Sequence, residues 1–176
     1  MRIKKVAKLN VEADRAWQLL GPNYVRAADW ASAVFVSSAR AGTPEIAHAP
    51  VAGRVCETSL GPFTETIVEY DPSKMRIAYR ATGEKMPGFI RSLVNTWEIQ
   101  PTGDATCGVT MVLQANLVPP FNVLMAPFLR MQFNGVLSRS LEEFAHFAET
   151  GNPHPRKLKA DQSPKAAAAR SRAIAA

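Results

Sequence analysis

Four polar side chains stand in rows that are otherwise apolar. Glu65 falls in the row of Phe63 and Ile67, Tyr79 follows Ile77, Asn95 lies between Leu93 and Trp97, and Gln132 sits beside Phe128 and Leu129. Residues two apart on a strand share a face, as do residues three or four apart on a helix. A buried polar group without a partner costs about 1–3 kcal/mol, so each of the four needs a hydrogen-bonding or ionic reason to be there. Glu65 needs the strongest one. A carboxylate among apolar side chains holds its proton to higher pH unless a cation or hydrogen bonds attend it. Arg54, on the preceding strand-like run, is the candidate partner. Facing inward, the pair could anchor the polar end of a bound molecule. One register slip would turn it outward, into an ordinary cross-strand ion pair on the wet face.

Other chemistries find little support. His48 belongs to a loop, His146 to the polar side of a helix and His154 to the tail, and none has a metal-ligand companion at a useful spacing. Cys56 and Cys107 lie far apart without a CxxC partner, which points to small buried apolar residues. No Ser-His-Asp or Cys-His set, phosphate loop or carboxylate pair on one element is present, so neither a metal nor a cofactor is expected. The net charge of +6 resembles a nucleic-acid signal until it is divided. Residues 151–176 hold six of the 21 Lys/Arg and one of the 15 acids, so the rest of the chain is nearly neutral and no specific nucleic-acid partner is expected. No apolar run is long enough to span a membrane, and the basic MRIKKVAKLN start lacks the apolar core of a secretory signal, which makes the cytoplasm the expected location.

The elements that must position these residues can be read from periodicity. Ile3, Val6 and Leu9 punctuate an imperfect strand; VEADRAWQLLG then places Ala13, Ala16, Trp17 and Leu20 on one helical face, with acids in the first turn and Gly21 as a stop. PNYVRAADW is a short link, and SAVFVSS a strand. Five further strand-like runs (54–60, 63–70, 74–82, 90–100 and 107–117) are separated by LGP, YDPS, TGEKMPG and PTGD, turn chemistry that implies an antiparallel meander. Val109, Met111, Leu113, Ala115 and Leu117 make one face of the last run apolar, so the sheet needs a cover. Phe133, Leu137, Leu141, Phe144 and Ala148 supply it as a stripe on a helix starting near Pro127, with Arg139, Glu142, Glu143 and His146 facing away. Residues 118–126 form a lid-like lead-in, and 151–176, without apolar periodicity, reads as a disordered basic tail.

This order of strand, helix, short helix, six strands and long C-terminal helix resembles the SRPBCC, or START-like, superfamily and within it the polyketide cyclase/dehydrase group. The resemblance is carried by VEADRAWQLLGPNYVRAADW, by GRVCETSLGPFTETIVEYDP, by NTWEIQPTGDATCGVTM and by the apolar, proline-rich approach to the last helix. It covers residues 3–150 and implies a helix-grip α+β fold: a curved antiparallel sheet around the C-terminal helix, with an elongated cavity between them for an apolar small molecule. A compact core would need the same apolar residues. On that frame the expected ligand-lining residues are Trp30, Glu65, Ile77, Tyr79, Asn95, Trp97, Met111, Leu113, Met125, Phe128, Leu129, Gln132 and Phe133.

Three functions fit. The first is binding or transport of a lipid, polyketide, isoprenoid or quinone. The second is an aromatase/cyclase in which Arg54 polarises a carbonyl, Glu65 acts as base and Tyr79 as acid. The third is an interaction module, in which Phe121, Leu124, Met125 and Phe128 form an outward apolar patch or the tail holds weakly to anionic lipid or nucleic acid; transient membrane contact stays open. Oligomeric state does not follow from the sequence.

Overall fold

A computed structural model describes residues 1–175. Its seven strands are β1 (Arg2–Leu9), β2 (Val34–Ala39), β3 (Gly53–Thr58), β4 (Gly61–Asp71), β5 (Arg76–Gly83), β6 (Ile90–Gly103) and β7 (Thr106–Leu117). They form one antiparallel sheet in the order β1-β7-β6-β5-β4-β3-β2. The meander from β2 to β7 follows the turn signals, and β1 returns to pair with β7, setting Ile3 opposite Leu113 and Leu9 opposite Cys107. That register turns Ile3 and Leu9 inward and leaves Val6 62% exposed, because the two-residue period excludes it from their face.

Helix α1 (Ala13–Leu20) buries the expected Ala13, Ala16, Trp17 and Leu20, with Trp17 packed on Tyr70 at 5.5 Å between ring centroids. A short 3-10 helix, Tyr24–Asp29, carries the chain to Trp30. After β7 come the single turn α2 (Phe121–Leu124) and the long α3 (Ala126–Thr150), which starts beside Pro127 as expected and stops at Gly151. Gly151 adopts a left-handed conformation (φ 75°) and donates its N–H to the Phe147 carbonyl at 2.8 Å, a helix ending that suits a residue without Cβ. Leu137, Leu141, Phe144 and Ala148 of α3 are buried in the core against the inner sheet face, and Leu129 is buried near the start of the helix.

The tail corrects the sequence reading. Residues 151–175 are not disordered: α4 (Pro155–Asp161) and α5 (Pro164–Ala175) fold back over β2 and β3. The local signals were present. His154 caps α4 by accepting the Arg156 N–H at 3.1 Å, the Ser163 hydroxyl accepts the Ala166 N–H at 3.2 Å, and a proline opens each helix. Ala166 and Ala169 pack on Phe35, which faces outward from the sheet, in a small second core. Lys157 is buried, its ammonium donating to the Val34 carbonyl at 2.8 Å and to Asp161 at 2.7 Å.

A second correction accompanies the first. Glu143 does not face solvent but is 1% exposed, accepting from the Ser32 N–H and hydroxyl at 2.8 and 2.6 Å and from Arg156 at 2.9 Å. The tail thus clamps α3 to the segment that leads from Trp30 into β2.

Candidate functional site

Gly53 determines how β3 meets β4. Its φ of 157° and the proximity of the Glu65 backbone carbonyl leave no room for a Cβ. The next residue, Arg54, stands directly opposite Glu65, and both side chains turn inward. The register slip that would have put this pair on the wet face does not occur. Arg54 is 6% exposed and donates through Nε to Glu65 Oε2 at 2.6 Å and through one terminal nitrogen to the Tyr24 carbonyl at 2.7 Å. The Tyr24 hydroxyl donates to the same Glu65 oxygen at 2.8 Å. The guanidinium also lies over the Tyr24 ring at 4.2 Å and near the Tyr79 ring at 5.3 Å, so one buried cation holds a carboxylate, a carbonyl and two aromatic faces.

Two rows cross the inner face beside this cluster. One runs Ile67, Tyr79, Asn95, Leu113; the other runs Tyr70, Ile77, Trp97, Met111. The Tyr79 hydroxyl joins them, accepting from Asn95 Nδ2 at 2.9 Å and from the Trp97 indole at 3.3 Å. Trp30 closes over the second row, 6.1 Å from Trp97 and 5.4 Å from Phe144 between ring centroids.

Burial sets the proton affinities. It lifts the Tyr24 hydroxyl well above its usual range and the Tyr79 hydroxyl to about 12. Burial also pushes the Cys56 thiol up to about 11. For Arg54, burial acts to loosen the proton, but Glu65 first and then the tyrosines hold the group charged, above its ordinary value.

One atom of this cluster is left over. Asn95 Oδ1 is buried and has no hydrogen-bond partner among the described residues. Turning the amide over would offer Oδ1 to the Tyr79 hydroxyl and orphan Nδ2 instead, so one end of the side chain is unsatisfied either way.

The space beside the cluster is small. A cavity of about 20 Å3 is bounded by Leu19, Leu20, Tyr24, Trp30, Arg54, Ile77, Tyr79 and Trp97, room for about one water. The expected elongated cavity is therefore closed at this end by side chains. Toward the other end the cover thins. Leu93, Leu117, Met125 and Phe133 are only half-buried, and of residues 126–136 Leu129 alone is buried.

Of the residues expected from sequence to line the grip, Trp30, Ile77, Tyr79, Asn95, Trp97, Met111, Leu113 and Leu129 are buried, and Glu65 joins the polar cluster. Phe128 and Gln132 do not line it and are exposed. With 100° per residue, the stripe through Leu129, Phe133 and Leu137 leaves positions 128 and 132 on its outer side. Sequence reasoning missed Tyr24, which uses both its hydroxyl and its carbonyl here. It sits in an irregular link where no periodicity assigns a face.

Against this geometry the comparisons are direct. The profile of the family described as polyketide cyclase / dehydrase and lipid transport matches residues 1–149. No curated protein matches. Among solved structures, a START superfamily protein from Mycobacterium smegmatis superposes with a TM-score of 0.61 at 13% identity, covering 80% of this chain and 94% of its own. Truncated norcoclaurine synthase from Thalictrum flavum gives a TM-score of 0.66 at 13% identity, covering 85% of this chain and 94% of its own. The di-domain ARO/CYC BexL of the BE-7585A biosynthetic pathway gives 0.63 at 12% identity, over 81% of this chain and 46% of its own. At such identities these structures share the fold alone. With a seven-stranded antiparallel sheet gripping a C-terminal helix and a profile match over most of its length, the chain belongs to the polyketide cyclase/dehydrase and lipid transport family, on the START-like helix-grip fold.

Proposed function

We propose that the chain binds an apolar small molecule bearing one hydrogen-bonding end, held between the sheet and α3. The carrying observation is the Asn95 carbonyl oxygen, buried on the inner face and unpartnered among the described residues. A hydroxyl placed there, which can donate or accept, would satisfy a buried amide end that costs the empty protein about 1–3 kcal/mol. The body of the ligand would lie toward the thinly covered end, among Leu93, Leu117, Met125 and Phe133, by displacing the start of α3. A mostly apolar site with a few placed polar groups is the usual form of such a pocket. The family's name, with its lipid transport, fits this reading.

A cyclase is the second reading, favoured by the polar cluster of Tyr24, Arg54, Glu65 and Tyr79 around the small cavity. In that role Arg54 would polarise a carbonyl and Glu65 accept a proton. Its difficulty is that these groups are engaged with one another, and the space beside them takes about one water.

The test is native mass spectrometry of freshly purified protein with extraction of what it carries, followed by tryptophan-fluorescence titration with a long-chain alcohol. Trp30 and Trp97 wall the interior and report its occupancy. A defined apolar mass at one per chain, or saturable quenching, supports binding. An empty chain that no alcohol perturbs defeats it.

A further inference from the structure

Five of the exposed large apolar side chains gather at one end of the molecule. Phe121, Val123, Leu124, Phe128 and Met131 are between 39% and 72% exposed, all within α2 and the first turns of α3. This end is built by three segments. Phe89 of the β5–β6 connection stacks on Phe121 at 5.0 Å between ring centroids, and Lys85 of the same connection reaches the β3–β4 turn at Gly61, next to the 68% exposed Leu60. Patches of this kind mark contact surfaces.

The charge around them is mainly positive. An open groove of about 820 Å3 runs between the β6–β7 end and α2–α3, lined by Arg91 and Arg130 among apolar and amide residues, with no acid in its wall. Residues 105–141 contain no Asp or Glu. On the β5–β6 connection Glu84 is offset by its neighbour Lys85. No helix among the described residues is long and apolar enough to cross a membrane.

We propose that this end docks on an anionic phospholipid surface, with Phe121, Leu124 and Phe128 entering the acyl boundary and Arg91 and Arg130 meeting lipid phosphates. A bilayer accepts separate protruding apolar side chains without shape complementarity, and two arginines beside them, without an ion pair among the described residues, complement anionic headgroups. The docking stands independently of what the interior binds.

The test is flotation of the full chain with vesicles of phosphatidylcholine alone and of phosphatidylcholine with phosphatidylglycerol, at low and high salt. The expected result is co-flotation with the anionic vesicles, weakened by salt. Leu124→Asp with Phe128→Asp abolishes it, and Arg91→Gln and Arg130→Gln each lower the partition about fivefold. All four positions are exposed, and near-UV circular dichroism confirms retained packing. Three results would each overturn the proposal. One is no flotation with anionic vesicles. Another is flotation indifferent to the α2–α3 substitutions but lost with Lys159→Gln and Lys165→Gln, which moves the contact to the tail. The third is lipid-free self-association that Leu124→Asp and Phe128→Asp dissolve, which makes the patch a contact between copies.

Discussion

Arg54 and Glu65 should behave as one buried unit. In Arg54→Met, Glu65 keeps only the Tyr24 hydroxyl, the Tyr24 carbonyl loses its donor, and a side chain of which 14% is exposed must stay charged without its cation or leave the interior. Removing one partner of such a pair costs about 3–5 kcal/mol. At about 2–4 °C per kcal/mol for a chain of this size, the melting temperature should fall by about 6–20 °C. Glu65→Leu should cost a similar amount, because Arg54, 7% exposed in its side chain, loses its counter-charge. The double variant Arg54→Met/Glu65→Leu removes both charges together and should recover most of the loss, since apolar replacements of whole buried pairs are often neutral or better. Urea denaturation of the four proteins completes the cycle, with the coupling read from midpoints at constant m-value. Additive single losses, or a cost below about 1 kcal/mol for Arg54→Met, would refute the reasoning and show that water reaches the pair.

Asn95→Leu should leave the ligand-free protein as stable as the parent or up to about 2 kcal/mol more stable, because it removes the orphaned oxygen along with one hydrogen bond to Tyr79. Urea unfolding of delipidated protein checks this, and a loss above about 1 kcal/mol would mean that the oxygen is satisfied. Arg156→Ala should destabilise the fold by about 1.5–3 kcal/mol and speed tryptic cutting of the tail, since it strips a cation from buried Glu143. Stability should also fall in alkali. The Cys56 thiol (9.0 raised to about 11) and the Tyr79 hydroxyl (10.0 raised to about 12) lose their protons first in the unfolded chain. Their contribution is complete below pH 9 and disappears as pH rises through 12, at up to about 1.4 kcal/mol per pH unit for each group. Urea titrations from pH 8 upward check the slope, which Cys56→Ala should flatten between pH 9 and 10.

The meander from β3 to β7, the closing helix and the inward faces of Ile77, Tyr79, Asn95 and Trp97 were legible because period and turn chemistry are local signals; the pairing of β1 with β7 was not. The register of Arg54 against Glu65 was not. It depends on how Gly53 lets two backbones approach, and a glycine in sequence does not say which neighbour it admits. The two errors on the C-terminal side have one cause. Glu143 reads as solvent-facing for want of a visible cover, because α4, with only alanines and lysine stems to bury, shows no apolar period, although its caps and prolines are in place. The apolar neighbours of Phe128 and Gln132 suggest an inward face for both, but the phase of the stripe through Leu129 and Leu137 excludes them.

The pairing of the first strand with the last has a consequence for how this chain comes to be folded. Met1 bonds to Ala115 across 114 positions, and Lys157 reaches the Val34 carbonyl across 123. During synthesis, therefore, β1 has no neighbour until β7 has emerged, and β2 lacks its outer cover until the tail is made. Contacts so distant in sequence are slow to form, because a long loop must close before they return any stability. The Trp17 face of α1 and the free edge of β1 meanwhile stand exposed on a growing chain. Until β7 is made, that face and that edge are open to aggregation.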